Sequence, residues 1–263
     1  HIGGAIDQYE LQFIKNNLIG YSAGIGLKLY KAENDFNSWN RLIISDNFAD
    51  LFFTNENKGF AVSGNLSEYQ GLYKTENSGI TWAKVSGAPG GNDIIFIDSL
   101  TGFIGSNLLY KTTDGGENWF EKPITGLIDT FGIIKKINFT NNNIGWAVTS
   151  RGGILKTTDG GENWFTQLNA GISIIFNSIY FLDNLNGWTA NSNGRPYKTT
   201  NGGNNWIQQT NLDIWESRDI LFRNILDGYL IESNKYYTTT NGGVNLALDL
   251  GITGFSIAGK FSY

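Results

Sequence analysis

The segment 110–120, YKTTDGGENWF, recurs almost unchanged as LKTTDGGENWF at 155–165 and as YKTTNGGNNWI at 197–207. Weaker copies are YKAENDFNSWN at 30–40, YKTENSGITWA at 73–83 and YTTTNGGVNLA at 237–247. The penultimate position of each copy is, in chain order, Trp39, Trp82, Trp119, Trp164, Trp206 and Leu246. These positions follow one another at roughly 40 residues, the length of a four-stranded β-propeller blade. The chain is therefore predicted to be built from one repeated unit.

Two further signals keep the same phase. Each unit opens with an apolar pair whose spacing puts both side chains on one face of a strand: Leu11/Phe13, Leu51/Phe53, Ile94/Phe96, Ile137/Phe139, Ile179/Phe181 and Ile220/Phe222. A Gly-aromatic step comes next: Gly20-Tyr21, Gly59-Phe60, Gly102-Phe103, Gly145-Trp146, Gly187-Trp188 and Gly228-Tyr229. Asn, Asp and Gly fill the turns, as β-hairpins require. The pattern predicts an all-β, antiparallel β-propeller whose blades contain strands a, b, c and d.

The number of blades is open. We expect a single propeller domain over 1–263, with repeat units at 10–46, 50–88, 93–125, 136–170, 178–212 and 219–247 and a partial unit at 246–263. The partial unit contains a further Gly-aromatic step, Gly254-Phe255, but its first residues cannot also form strand d of unit six. Either six blades are followed by an extra strand pair, or a seventh blade is built from both termini, with 3–10 as its outer strand. The additional Gly-aromatic step slightly favours seven.

Composition excludes several classes of function. The 263 residues include no Cys and no Met, and the one His is His1, so thiolate, Ser-His-Asp and multi-His metal chemistry cannot be built from this chain. The net charge is -5, and the 19 Lys and Arg residues are scattered, without the basic stripe of a nucleic-acid-binding protein. No apolar run is long enough to span a membrane. We expect no cofactor, no metal, no nucleic-acid partner and no transmembrane segment.

Between strands c and d, units two to five follow the pattern Thr-x-Asp/Asn-x-Gly-x-Asn/Thr-Trp, for example Thr112, Asp114, Gly116, Asn118 and Trp119, and units one and six are weaker copies. This pattern resembles the Asp-box, or bacterial neuraminidase repeat, of sialidases, xyloglucanases, sortilin-type receptors and photosystem II assembly-factor propellers. The resemblance covers six units, most of the chain, and is closest to the assembly-factor propellers and to secreted bacterial propellers with TTDGGENW repeats. It implies a β-propeller fold, whereas these families share no single function.

The Asp-box residues are expected to be structural. The Asp or Asn can accept hydrogen bonds from its own turn, Gly supplies a positive φ, and the Trp packs between blades. Calcium binding is the alternative for the DGGEN segments, but glycines occupy positions where ligands would be needed. The residues assigned the structural role are Asn34, Trp39, Asn77, Trp82, Asp114, Trp119, Asp159, Trp164, Asn201, Trp206 and Asn241.

The opposite end of the blades carries the candidate binding face. In a propeller the a–b and c–d turns share one face, while the b–c and d–a connections share the other, which usually carries the ligand site. Exposed aromatic and Arg side chains there are typical anchors for a protein or glycan partner. The alternative is that Trp215 caps a blade and the charges form a solvated rim. The candidates are Glu68, Tyr69, Arg151, Arg195, Trp215, Glu216 and Arg218.

A second candidate site lies where each strand a begins, at Glu10, Asp50, Asp93, Lys136, Ser178 and Asp219. If strands a line a central channel, the carboxylates Glu10, Asp50, Asp93 and Asp219 ring its mouth, where crowding raises their pKa values or attracts cations. The alternative is a hydrated entrance, because strained carboxylate clusters are rare outside functional sites.

The predicted function is a non-catalytic, exported binding or scaffold propeller. The alternative is a sialidase- or xyloglucanase-like glycoside hydrolase that uses two channel-mouth carboxylates. The five arginines do not match the Arg triad of the sialidase pattern, and xyloglucanase-type enzymes form their cleft between two propellers. The absence of Cys, the abundance of Asn, Gly, Ser and Thr, and the missing start Met predict a processed bacterial protein that is secreted, periplasmic or on the cell surface, or a part of a larger chain or surface assembly.

Overall fold

The computed structural model describes residues 8–14, 19–24, 28–33, 39–43, 48–64, 70–126, 132–209, 216–232, 235–249 and 259–261. The regular structure of these residues is β-strand throughout, which confirms the all-β prediction. The chain divides into two compact units. The first comprises His1–Ser106, Tyr110–Phe120 and Phe255–Tyr263, and the second comprises Asn107–Leu109 and Glu121–Gly254.

The described residues form 26 strands. Their bounds are β1 Gln8–Ile14, β2 Ile19–Gly24, β3 Lys28–Glu33, β4 Trp39–Ile43, β5 Asp50–Phe53, β6 Gly59–Ser63, β7 Gly71–Thr75, β8 Ala83–Lys84, β9 Asp93–Phe96, β10 Gly102–Gly105, β11 Leu109–Thr112, β12 Phe120–Glu121, β13 Ile124–Thr125, β14 Ile134–Phe139, β15 Gly145–Thr149, β16 Gly153–Thr157, β17 Trp164–Asn169, β18 Phe176–Phe181, β19 Gly187–Asn191, β20 Tyr197–Thr199, β21 Ile207–Gln208, β22 Asp219–Phe222, β23 Gly228–Ile231, β24 Tyr236–Thr239, β25 Ala247–Asp249 and β26 Gly259–Phe261.

These strands form six sheets, each of which contains the predicted a, b, c and d strands in order. The first unit holds blade one (β1–β4, with β26 beside β1), blade two (β5–β8) and most of blade three (β9–β12). The second unit holds blade four (β14–β17, with β13 beside β17), blade five (β18–β21) and blade six (β22–β25). Neighbouring strands a to d are antiparallel, whereas β13 and β26 are parallel additions to a sheet edge.

The preference for seven blades was wrong, because the described strands form six and a seventh is not supported. Residues 247–249 are used as strand d of blade six, and 259–261 pair with strand a of blade one. Residues 8–10, the described part of the segment 3–10, form the start of strand a itself and not an outer strand. Gly254-Phe255 lies outside the described residues. The single-domain expectation stays a prediction.

Aromatic rings join consecutive blades within each unit. The aromatic residue of the Gly-aromatic step stacks on the strand-a Phe of the next blade, and that Phe meets its own Asp-box Trp edge-on. The stacked pairs are Tyr21–Phe53 at 3.7 Å between ring centroids, Phe60–Phe96 at 4.7 Å, Trp146–Phe181 at 3.5 Å and Trp188–Phe222 at 3.7 Å. The edge-on pairs are Phe53–Trp82, Phe96–Trp119, Phe139–Trp164 and Phe181–Trp206.

The Gly of the Gly-aromatic step is required by the same packing. A Cβ at Gly187 would lie 2.5 Å from the ring of Phe181, and one at Gly228 would lie 2.5 Å from the ring of Phe222. Real Cβ atoms do not approach carbon this closely, so the Phe ring occupies the space that a side chain would need. The repeated Gly therefore reflects close packing on strand a, while the following aromatic residue reaches the next blade.

Candidate binding face

Each described Asp-box turn closes on itself through hydrogen bonds. In blade three, Asp114 Oδ1 accepts bonds from the Thr112 hydroxyl at 2.8 Å and from the backbone N–H of Asn118 at 3.0 Å. The Thr112 hydroxyl oxygen in turn accepts a bond from the N–H of Gly116 at 3.0 Å. The same turn is built around Asn77, Asp159, Asn201 and Asn241. Asn34 and the side chain of Trp39 lie outside the described residues.

The hydrogen bonds hold the Asp-box carboxylates in their ionised form. Backbone and side-chain bonds from Asn118, followed by the bond from Thr112, lower the pKa of Asp114 to about 2. Burial opposes ionisation of Asp159, but bonds from Asn163 and Thr157 outweigh it and lower the pKa of that carboxyl to about 2 as well. A carboxylate committed to its own turn is neither a general acid near neutral pH nor a metal ligand with open lone pairs.

A second repeated motif closes the a–b turns. Its first residue accepts hydrogen bonds from the backbone N–H groups two and three positions on, and it is Asn55, Asp98, Asn141, Asp183 and Asn224 in successive blades. The carbonyl at the third position of the motif then accepts a bond from the c–d turn of the same blade, as in Gly202 N–H to Leu185 O at 2.9 Å. The Asn and Asp content of these turns is evident in the sequence, but the motif itself was not predicted.

The preceding blade covers the remaining polar groups of the c–d turn. The carbonyl of Gly202 accepts bonds from Lys156 Nζ at 2.7 Å and Trp146 Nε1 at 3.3 Å, both of which belong to blade four. The carbonyl of Gly242 is bound in the same way by Lys198 and Trp188 of blade five. Burial lowers the pKa of both lysines. The polar groups of these turns therefore form hydrogen bonds within the protein that stabilise the fold.

The b–c and d–a connections meet at the other end of the blades. In blade four, Ser150 exchanges backbone and side-chain hydrogen bonds with Ile133, and the N–H of Ala170 donates to Gly152 O at 2.8 Å. In blade five, Ser192 exchanges the equivalent bonds with Ile175. Each b–c turn thus lies against the connection that enters its own strand a, as the propeller topology predicts.

Hydrogen bonds between two buried polar residues join blades five and six at this end. The buried Asn191 and Ser217 are joined by three hydrogen bonds. Asn191 N–H donates to Ser217 Oγ at 2.7 Å, and the N–H and hydroxyl of Ser217 donate to Asn191 O at 2.9 and 3.1 Å. The Asn191 side chain also holds both the N–H and the carbonyl of Arg195. The turn that carries Arg195 and the connection that carries Arg218 are therefore fixed against each other.

The candidate residues of the second unit are displayed on these connections. Arg151, Arg195 and Arg218 are exposed and Glu216 is half-buried. The candidates Glu68, Tyr69 and Trp215 lie outside the described residues.

Two exposed isoleucines on the same connections were missed by sequence analysis. Ile172 is 67% exposed and Ile175 is 40% exposed, in the d–a connection between blades four and five. Gly171, at the start of this connection, lies against Gly152 in the turn of Arg151. The backbone of Ile175 exchanges hydrogen bonds with Ser192 in the turn of Arg195. The signal in the sequence was an apolar cluster, GISII at 171–175, outside the repeated pattern.

The carboxylates at the start of strand a have a different environment from the expected one. Asp50 and Asp93 are buried, with 2% and 1% exposure, so the alternative of a hydrated entrance is wrong for them. Asp50 Oδ2 accepts a bond of 2.7 Å from the N–H of Ile94 in the next blade. Asp219 Oδ1 accepts bonds from the Ser178 hydroxyl and from the N–H of Ile220. The described bonds tie adjacent strands a together. The side chain of Glu10 lies outside the described residues.

Within the described ranges, no group of three or more His, Asp or Glu side chains is arranged to hold a metal ion. The described part of the chain also contains no helix long and apolar enough to cross a membrane.

The six four-stranded blades and their repeated turns define an Asp-box β-propeller. A family model described as photosynthesis system II assembly factor YCF48 matches residues 88–210, just under half of the chain. These findings confirm the resemblance inferred from the repeats. No curated protein sequence matches the chain.

Solved structures with this fold include both assembly factors and enzymes. A structure of YCF48 bound to a D1 peptide has a TM-score of 0.72 and 18% identity, over 94% of this chain and 83% of the other. YCF48 from Cyanidioschyzon merolae has a TM-score of 0.73 and 14% identity, over 96% and 88% of the two chains. The GH74 enzyme of Niastella koreensis has a TM-score of 0.73 and 17% identity, over 94% of this chain but 47% of its own length. At these identities the likeness establishes the fold.

Proposed function

We propose that this protein is a non-catalytic binding propeller whose protein partner docks on the b–c and d–a connections of blades four to six. The observation that carries the proposal is the placement of Ile172 and Ile175 between the turns of Arg151 and Arg195. Arginine is enriched at protein interfaces, and the core of an interface buries apolar side chains. A YCF48 structure with a bound D1 peptide shows that a protein of this fold can bind a peptide, which supports the choice of a protein partner.

The environment of the strand-a carboxylates argues against the hydrolase alternative. Glycoside hydrolysis needs two carboxyl groups that reach the scissile bond from solvent. Asp50 and Asp93 are buried, and Asp219 accepts hydrogen bonds from Ser178 and Ile220. We therefore expect no product from sialosides, xyloglucan or other β-glucans. Turnover that Asp50→Asn, Asp93→Asn or Asp219→Asn abolishes without unfolding the protein would replace the binding proposal with a hydrolase.

The direct test is a selection of displayed peptides on the purified protein. Enriched peptides should lose binding to Ile172→Ser and to the double variant Arg151→Ala/Arg195→Ala. They should keep binding to Leu185→Ser, a matched control that removes a similarly exposed apolar side chain from the a–b end. If the peptides lose binding to Leu185→Ser and keep binding to the other variants, the site lies at the a–b end and the proposal is wrong. Enrichment of glycans alone on an array would point to a sugar ligand.

We further propose that the protein is exported. The absence of Cys and the abundance of Asn, Gly, Ser and Thr support this location. Fractionation of cells that express the full-length gene product tests it, and recovery in the cytoplasm alone would contradict it.

A further inference from the structure

The chain contains four Asn-Gly steps, at Asn186-Gly187, Asn193-Gly194, Asn201-Gly202 and Asn241-Gly242. An Asn followed by Gly is prone to deamidation, because the absent Cβ leaves the Gly amide nitrogen unhindered. That nitrogen, once deprotonated, attacks Cγ of the Asn and forms a five-membered succinimide. The Cγ–Nδ2 bond breaks and ammonia leaves. Water then opens the ring at either carbonyl, and the product is aspartate or isoaspartate.

Three of these steps are held in place by the repeated turns. The N–H groups of Gly202 and Gly242 donate to Leu185 and Leu226 at 2.9 and 2.8 Å. In each case the side-chain oxygen of the preceding Asn accepts bonds from its own Asp-box turn. Asn186 donates twice to the carboxylate of Asp183, and Gly187 is buried in strand β19. In these steps neither the nucleophile nor the amide carbon can readily reach the attack geometry.

Asn193-Gly194 belongs to a turn that does not repeat. The Asn193 side chain is exposed, and its hydrogen bond within the described residues is one of 3.2 Å that Oδ1 accepts from Arg195 N–H. The N–H of Gly194 donates to Asn191 O at 3.3 Å, longer than the bonds of Gly202 and Gly242. Gly194 is itself buried, so attack requires a local opening of the turn. The bonds that the reacting groups themselves make, at 3.2 Å for Asn193 Oδ1 and 3.3 Å for Gly194 N–H, are long ones.

We propose that Asn193 is a site of spontaneous deamidation, and that the folds of the other three turns protect their Asn-Gly steps. The product would add a carboxylate two residues from Arg195, at the edge of the proposed binding face. A new negative charge beside this arginine would weaken the binding of an acidic partner and strengthen the binding of a basic one. This consequence for binding rests on the proposed function, whereas the modification itself does not.

The test is peptide mapping by mass spectrometry after incubation of the folded protein at mildly alkaline pH. Deamidation at Asn193 should be at least about tenfold faster than at Asn201 or Asn241, the factor expected from one to two additional hydrogen bonds. An isoaspartyl methyltransferase should label the wild type and leave Asn193→Gln unlabelled, since Gln forms the corresponding ring far more slowly. The same measurement in denaturant should bring all four steps to similar rates.

Deamidation of Asn201 or Asn241 ahead of Asn193, or equal rates at all four steps in the folded protein, would overturn the proposal. The variant Asn193→Asp then separates the two proposals. If Asn193 deamidates but Asn193→Asp binds the selected peptides like the wild type, the modification site stands and its role in binding fails. If no peptide is selected by the face at all, the proposed function fails while the chemistry at Asn193 is still measured.

Discussion

The two ends of the blades differ in how they use polar groups. At the a–b and c–d end, two hydrogen-bonded turn motifs recur from blade to blade, and the carbonyls of the c–d turns are covered by the preceding blade. At the b–c and d–a end, the described connections vary in sequence and display Arg151, Arg195, Ile172 and Ile175. Repetition marks the groups that build the fold, because the same packing problem is solved in each blade. Departure from the repeat marks the surface available for function.

The largest expected effect is at the structural end. Trp164 is fully buried, meets Phe139 edge-on at 5.8 Å and donates from Nε1 to Gly161 O. Trp164→Ala should lower the free energy of unfolding by about 3–5 kcal/mol, because truncation of a fully buried aromatic side chain leaves a cavity in the core. Denaturant titration followed by circular dichroism measures the change. Trp164→Phe is the control, and it should retain most of the stability. A loss below about 1 kcal/mol for Trp164→Ala would contradict the packing role, since surface truncations fall in that range.

A smaller loss is expected from the Gly-aromatic step. Gly187→Ala places a Cβ against the ring of Phe181, 2.5 Å away, and should cost about 1–3 kcal/mol by overpacking. Gly171→Ala, at the other end of the blades, is the contrast. Its Cβ meets no atom within 4 Å, so any cost there comes from the φ of +97° and not from packing. If Gly187→Ala costs as much in a Phe181→Leu background as it does in the wild type, the ring is not the cause.

The Asp-box also predicts a pH dependence. The pKa of Asp114 is lowered from its ordinary 3.8 to about 2, so the unfolded chain takes up a proton before the folded one does. The contribution of Asp114 to stability is fully present above pH 4 and is lost as the pH falls through 2. Asp114→Asn should flatten this part of the pH profile while it keeps the turn, since blades five and six use Asn at the same position. Thermal melts between pH 6 and pH 2 test the difference, and identical profiles would contradict it.

The smallest effect on stability is expected at the functional end. Arg195→Ala and Ile172→Ser should each change the free energy of unfolding by less than about 0.5 kcal/mol, as exposed substitutions usually do. Both should nevertheless abolish or weaken binding of the selected peptides. A stability loss comparable to that of Gly187→Ala would show that these side chains support the fold, and the contrast between the two ends would then be wrong.

The sequence was most informative where a motif repeats. The copies of YKTTDGGENWF and the Gly-aromatic steps were sufficient to predict the fold and the strand order, because each short pattern specifies a turn or a strand by local chemistry. The a–b motif of Asn55, Asp98, Asn141, Asp183 and Asn224 was accessible in the same way and was overlooked. The burial of Asp50 and Asp93 could not be predicted, since it depends on how the neighbouring strand a approaches.

The sequence by itself determined the repeated blade, its Asp-box turns and the classes of chemistry that a chain without Cys and with one His cannot perform. The tertiary structure decided the blade number, because only strand pairing shows that 247–249 complete blade six and that 259–261 join blade one. It also decided which irregular residues share a surface. The connection that carries Ile175 and the turn that carries Arg195 are joined by hydrogen bonds between Ile175 and Ser192. Contacts of this kind depend on the three-dimensional path of the connections, which no local pattern encodes.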